Sequence, residues 1–93
     1  MKYYYVYILL LSNRQLYTGL TTDLPRRLSE HDRGRVKSTA KRRPVGLIHA
    51  EAYAAESDAR RRERFLKKTE GKQLLRRQIR DVLKDKGVIN LHP

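Results

Sequence analysis

The sequence predicts a small α/β domain, in the α+β sense of a three-stranded antiparallel sheet flanked by helices on both faces. Three observations carry that prediction. Periodicity along the chain runs strand, strand, helix, strand, helix, helix. The first strand is apolar on both of its alternating faces, as a central strand covered on two sides must be. The 93 residues are enough for one hydrophobic core with helices layered on the sheet, and too few for a second. Residues 1–86 are expected to form that domain and residues 87–93 a C-terminal tail.

In chain order, residues 3–11 place Tyr3, Tyr5, Tyr7 and Leu9 on one face and Tyr4, Val6, Ile8 and Leu10 on the other. The segment SNRQ has turn chemistry, and LYTGL reads as the second strand of a hairpin. TTDLPRRLSEHDRG reads as a helix, with Thr22 or Asp23 as cap, Pro25 in the first turn where its missing N–H is harmless, and Gly34 as the stop. After a basic stretch over residues 35–43, Pro44 opens the alternating VGLIHAEAY, the third strand. Ser57 is the expected cap of the helix DARRRERFLKK, with Asp58 at its positive end. Gly71 should separate this helix from a last one, whose stripe is Leu75, Ile79 and Val82 and which ends at Gly87.

Charge is the strongest global signal. There are 22 Lys and Arg against 10 Asp and Glu, a formal net charge of +12, concentrated in KSTAKRR and RRRERFLKK. Such an excess favours polyanionic partners, nucleic acid first among them, with Lys37, Lys41, Arg42 and Arg43 as candidate phosphate contacts. No cysteine is present, which rules out a disulfide framework and a thiolate metal site. No apolar run approaches the ~20 residues of a membrane-spanning helix, so a cytoplasmic protein is expected, without a membrane partner.

Residues on unexpected faces point to chemistry. At 100° per residue, Arg27 and His31 fall within about 60° of Leu24 on the first helix, while Arg26 points nearly opposite. On the next helix Glu63 lies within about 40° of Ala59, on the side shared with Leu66. Singly, each has an ordinary explanation: Arg27 snorkels along the sheet, His31 caps a core, Glu63 pairs with Arg60 or Lys67. Together they direct Arg, His and Glu toward a sheet lined with tyrosines. That combination suits phosphodiester cleavage, which needs a base, a guanidinium for the phosphate and a carboxylate for a divalent metal.

At these residues the chain resembles the GIY-YIG nuclease superfamily, and within it the small single-domain bacterial members. Tyr5-Val6-Tyr7 is similar to the first half of the family signature, and Tyr17-Thr18-Gly19 to the second. DLPRRLSEH resembles the helix carrying the family's catalytic Arg, which falls at Arg27 with His31 one turn later. SDARRRERFLK resembles the helix carrying the metal-binding Glu, which falls at Glu63, with Lys67 a further matching position. The likeness covers roughly residues 3–70. Tyr5 stands where the signature has Gly and Thr18 where it has Ile. The Asn that many members carry near the end of the module has no counterpart between Asn13 and Asn90.

The resemblance implies a GIY-YIG endonuclease-like fold and a metal-dependent nuclease of low sequence specificity. In it Tyr7 or Tyr17, with Tyr7 favoured, activates the attacking water and Arg27 stabilises phosphate charge. Glu63 holds one largely hydrated Mg²⁺ or Mn²⁺, and His31 accepts a proton from a tyrosine. Gly19 and Lys67 support the site. DNA is the first expectation for the substrate and RNA the second; the alternative is a catalytically silent module binding structured nucleic acid as a basic adaptor. Tyr3, Tyr4 and Tyr5 are expected to be structural, with buried rings and hydroxyls at the rim. Joint action of Tyr7 and Tyr17 also demands one shared sheet face. A two- or four-residue hairpin connection would separate them and a loop of three or five residues, or a bulge, would restore them, so an odd-length connection around Ser12 to Gln15 is expected.

Overall fold

The computed structural model describes residues 1–88. Its elements are β1 (Tyr4–Leu10), β2 (Leu16–Thr21), α1 (Leu24–Asp32), β3 (Gly46–Tyr53), α2 (Glu56–Leu66), α3 (Thr69–Gln78) and α4 (Arg80–Asp85), with one 3₁₀ turn at Ala40–Arg42. β1 is central in a fully antiparallel sheet of order β2-β1-β3. Its two apolar faces each enter a separate core. Val6 and Ile8 pack with Ala59, Leu66, Leu75, Ile79 and Leu83 under α2, α3 and α4. Tyr7, Leu9 and Leu11 pack with Leu24 and Leu28 of α1. Among the described residues no helix is long and apolar enough to cross a membrane.

The hairpin connection settles the register. Leu10 pairs with Leu16, leaving five residues, 11–15, in the loop, closed by Leu11 N–H donating to the Gln15 carbonyl at 2.9 Å. Arg14 takes the positive φ of 72° that the reversal needs. With this odd count Tyr7 lies opposite Gly19 and Leu9 opposite Tyr17, so both tyrosines share the α1 face. On the other side of β1 the register slips between Ile8 and Leu9, which face His49 and Leu47, leaving Ile48 as the extra residue of a bulge.

Several local expectations give way to tertiary contacts. Asp23 does cap α1, accepting from Arg26 N–H at 3.2 Å, and Gly34 follows the helix at φ 74°. Ser57, however, lies within the first turn of α2, whose cap is Ala55 with no side-chain bond. Gly71 does not break the helices: the chain turns at Lys67 and Lys68, and Gly71 is buried inside α3. A Cβ there would overlap the Phe65 carbonyl, so glycine serves the close approach of α3 to the end of α2. The last helix divides at Ile79, which leaves Leu83 as well as Leu75 and Ile79 buried. Tyr3 precedes β1 and is 40% exposed, so its ring is not buried as expected, while Tyr4 and Tyr5 are half-buried. Val88 packs into the core, and residues 89–93 of the expected tail lie outside the described residues.

A polar network binds β3 to α2. The Arg62 guanidinium donates to both oxygens of Glu51, at 3.0 and 3.2 Å, and to Gln78 at 2.9 Å. Tyr53 hydroxyl donates to Glu51 at 2.7 Å and His49 Nε2 lies 2.9 Å away. Burial would push the Glu51 carboxyl up, but these partners outweigh it and hold it at about 2.

Candidate active site

The site begins with Tyr7, which the alternation of β1 points toward α1. Its ring needs Gly19 across the strand pair. A Cβ on Gly19 would overlap the Tyr7 Cζ and hydroxyl and stand 2.7 Å from Cε1, closer than real Cβ atoms come to anything. Tyr7 is 0% exposed, and its hydroxyl lies 2.8 Å from His31 Nε2. His31 is the buried residue of α1 and continues the chain through Nδ1, 2.7 Å from Thr39 Oγ1. Thr39 hydroxyl has a carbonyl, Val36 O, as its other partner at 3.5 Å and donates to it. Thr39 oxygen therefore accepts from His31 Nδ1–H, which leaves Nε2 as acceptor for the Tyr7 O–H.

Burial, and then the charge of Arg27, lowers the pKa of His31, which favours the neutral ring this arrangement requires. Burial also raises the Tyr7 phenol above its ordinary value. The neighbouring Arg27 guanidinium opposes that shift, while Tyr17 and the Glu63 carboxylate add to it.

Tyr17 completes the aromatic cluster, its ring 6.3 Å from Tyr7 and 5.3 Å from His31. Unlike Tyr7 it is half-buried, and its hydroxyl has no hydrogen-bond partner among the described residues. No buried side-chain polar atom there lacks a partner, so the Tyr17 hydroxyl meets solvent. Arg27 lies beside Tyr7 with its side chain 35% exposed, donating to Glu30 at 2.9 Å. Arg26, at 62%, faces outward as its rotation predicts. Glu63 is 20% exposed and accepts from Lys67 Nζ at 3.2 Å, the local pairing foreseen for it.

The structure thus brings Tyr7, Tyr17, Arg27, His31 and Gly19 together, with Glu63 near enough to act on Tyr7 through its charge. Thr39 was missed. It sits inside KSTAKRR, where charge dominates the pattern and nothing local marks a threonine that meets a histidine eight residues earlier. The flanking basic residues divide. Lys37 and Lys41 are exposed without a side-chain partner among the described residues. Arg42 donates to Ser38 O at 3.2 Å, while Arg43 donates to Ala40 O at 3.0 Å and Asp32 O at 3.2 Å, so both brace the loop against itself and α1. The second basic cluster is largely neutralised, Arg60 pairing with Glu56, Arg61 with Asp58 and Arg62 with Glu51.

A family model described as the GIY-YIG catalytic domain matches residues 3–77, across the sheet, α1, α2 and most of α3. The chain belongs to the GIY-YIG family. This is a nuclease superfamily, whose nucleases generally use divalent metals and whose membership points to nucleic acid as partner. A UPF0213 protein of Haloquadratum walsbyi is 43% identical over 83 residues, 86% of this chain and 93% of that protein. One from Staphylococcus haemolyticus is 39% identical over 77 residues, 82% of this chain and 94% of its own. The solution NMR structure of a UPF0213 protein from Bacillus halodurans superposes with a TM-score of 0.58 at 30% identity, covering 95% of this chain and 97% of that one.

The GIY-YIG donor set can be tested for a divalent ion. Among the described residues no three His, Asp or Glu side chains converge, so a cage made of protein ligands is not formed there. A single carboxylate carrying a largely hydrated Mg²⁺ needs no such cage, and Glu63 fits it. Lys67 is 57% exposed and can swing aside, since an i,i+4 ion pair is worth only about 0.3–0.5 kcal/mol.

Proposed function

We propose that this GIY-YIG protein is a metal-dependent nuclease that hydrolyses phosphodiester bonds of DNA or RNA with little sequence specificity. The observation that carries the reading is the division of labour between the two tyrosines: one phenol buried against a neutral histidine and next to the Arg27 guanidinium, the other open to water. Arg27 grips the phosphate and opposes the charge that grows on it, the work for which a planar two-pronged donor is suited. Tyr17, having released its own proton to the surrounding water, takes a proton from the attacking water as the phenolate. Tyr7, favoured for that part from sequence, has its hydroxyl engaged by His31 and is out of reach of solvent; it positions His31 and the Arg27 side of the pocket instead.

A divalent ion held by Glu63 would polarise the phosphate and add positive charge beside the attacking water. His31, kept neutral, can receive a proton from Tyr7 through the bond already formed.

The second reading, a silent module that binds nucleic acid, draws on the ion pairs Arg27–Glu30 and Glu63–Lys67, which occupy the two groups most needed for cleavage. Labelled single-stranded, duplex and branched DNA and RNA incubated with Mn²⁺ or with chelator separates the two. Cleavage in Mn²⁺ that chelator abolishes supports the nuclease; tight binding without cleavage on any of these substrates supports the silent module.

A further inference from the structure

The outer edge of β2 divides two regions. On one face lie Tyr17 and Gly19 of the candidate site; on the other lie Leu16 and Thr18, because neighbouring strand residues alternate. Behind that second face, between β2 and α3, is a cleft of about 260 Å³ lined by Gln15, Thr18, Lys72 and Arg76 over a floor of leucines that includes Leu66. Leu66 lies three residues after Glu63, so the cleft floor and the candidate metal-binding carboxylate share α2.

Among the described residues no acidic side chain lines the cleft. Lys72 and Arg76 stand one turn apart on α3, as i and i+4, and make no ion pair or side-chain hydrogen bond among the described residues. That contrasts with Arg60, Arg61 and Arg62 on α2, each of which has its carboxylate. Thr18 hydroxyl is similarly unspent. The Gln15 amide uses its oxygen to accept from Asn13 at 3.2 Å and keeps its NH₂ free. Two cations and two neutral donors around a concave, acid-free space match the oxygens of a phosphate.

We propose that this cleft is a phosphate subsite for the nucleic-acid strand, holding one of its phosphodiesters on the far side of the β2 edge from Arg27. The assignment rests on the nucleic-acid reading above. It does not depend on cleavage.

Binding of a labelled single-stranded oligonucleotide in chelator, measured by fluorescence anisotropy across a range of salt, tests it. Arg76→Ala and Lys72→Ala should each weaken binding about fivefold and reduce the slope of log K against log salt by about 0.7. Arg77→Ala, an exposed cation on the same helix that does not line the cleft, should do much less. Scanning single neutral methylphosphonate linkages through the oligonucleotide should find one whose effect disappears in Arg76→Ala. Equal effects of Arg76→Ala and Arg77→Ala, or no linkage coupled to Arg76, overturn the proposal. So would inorganic phosphate shifting the Thr18 and Arg76 amide resonances while the oligonucleotide is indifferent to both substitutions, which would mark a site for free anions. Coupling of Arg76 to one linkage in a protein that never cleaves with Mn²⁺ would end the nuclease reading and leave the subsite standing.

Discussion

Gly19→Ala is the most direct probe of the site's construction. Glycine in a strand interior ordinarily costs about 0.5–1 kcal/mol relative to alanine, so the general expectation is a gain in stability. Here the new Cβ would stand 2.7 Å from Tyr7 Cε1, against the 3.4 Å at which ordinary contact begins, and would overlap Cζ and the hydroxyl. The ring must withdraw by roughly 0.7 Å or more, and it is fully buried. Overpacking of this kind costs about 1–3 kcal/mol. A shift of that size also stretches the 2.8 Å bond to His31 toward the limit of a hydrogen bond, at a further cost of about 1–3 kcal/mol for two buried polar atoms.

Net of the strand gain, Gly19→Ala should destabilise the protein by about 1–5.5 kcal/mol, with Tm falling by roughly 4–8 °C for each kcal/mol in a domain of this size. Thermal unfolding followed by circular dichroism measures it. The companion variants make the cause specific: Tyr7→Phe keeps Cζ and Cε1 and should not relieve the clash, whereas Tyr7→Leu should make Gly19→Ala nearly harmless when combined with it. An unchanged or raised Tm for Gly19→Ala would refute the account of how β2 admits the Tyr7 ring.

Arg27→Lys keeps the charge and removes the paired donors, so turnover should fall about 10²-fold or more with little change in substrate binding, while Arg26→Lys on the outer face changes neither; steady-state kinetics on both compares them. Glu63→Gln should abolish Mn²⁺-dependent cleavage with nucleic-acid binding retained or slightly tightened. The Lys67 pair it breaks is worth only about 0.3–0.5 kcal/mol, so urea unfolding should show a nearly unchanged midpoint. The lowered pKa of His31 means the unfolded chain binds its proton first: stability is full above pH ~6.5 and falls as pH drops below it, and His31→Gln should flatten that part of a urea-midpoint profile. A second loss, of about 2–3 kcal/mol, should follow as pH falls from 4.5 toward about 2 and Glu51 is protonated out of its bonds to Arg62, and Glu51→Gln should remove that step.

By itself the sequence determined what local periodicity can carry. Strand alternation assigned Tyr7 and Val6 to opposite faces of a central β1, and helix rotation turned Arg27 and His31 inward and Arg26 outward. Counting also showed that only an odd-length connection or a bulge would bring Tyr7 and Tyr17 to one face, as their joint action demands. Each of these depends on backbone geometry that repeats over a few residues, whatever lies beyond. The tertiary structure decided matters that depend on what covers a group from a distant part of the chain. Tyr7 and Tyr17 are the same residue type with the same phenol, and only the packing of α1 and the hydrogen bond to His31 Nε2 bury one hydroxyl and leave the other wet. Thr39 meets His31 because the loop after α1 folds back beneath it, and Arg62 is spent on Glu51 because β3 lies under α2. Lys72 and Arg76 stay unneutralised because no carboxylate among the described residues reaches the cleft. A charge in a sequence has a sign but no partner, and partnership, set by the fold in three dimensions, separates a brace from a binding site.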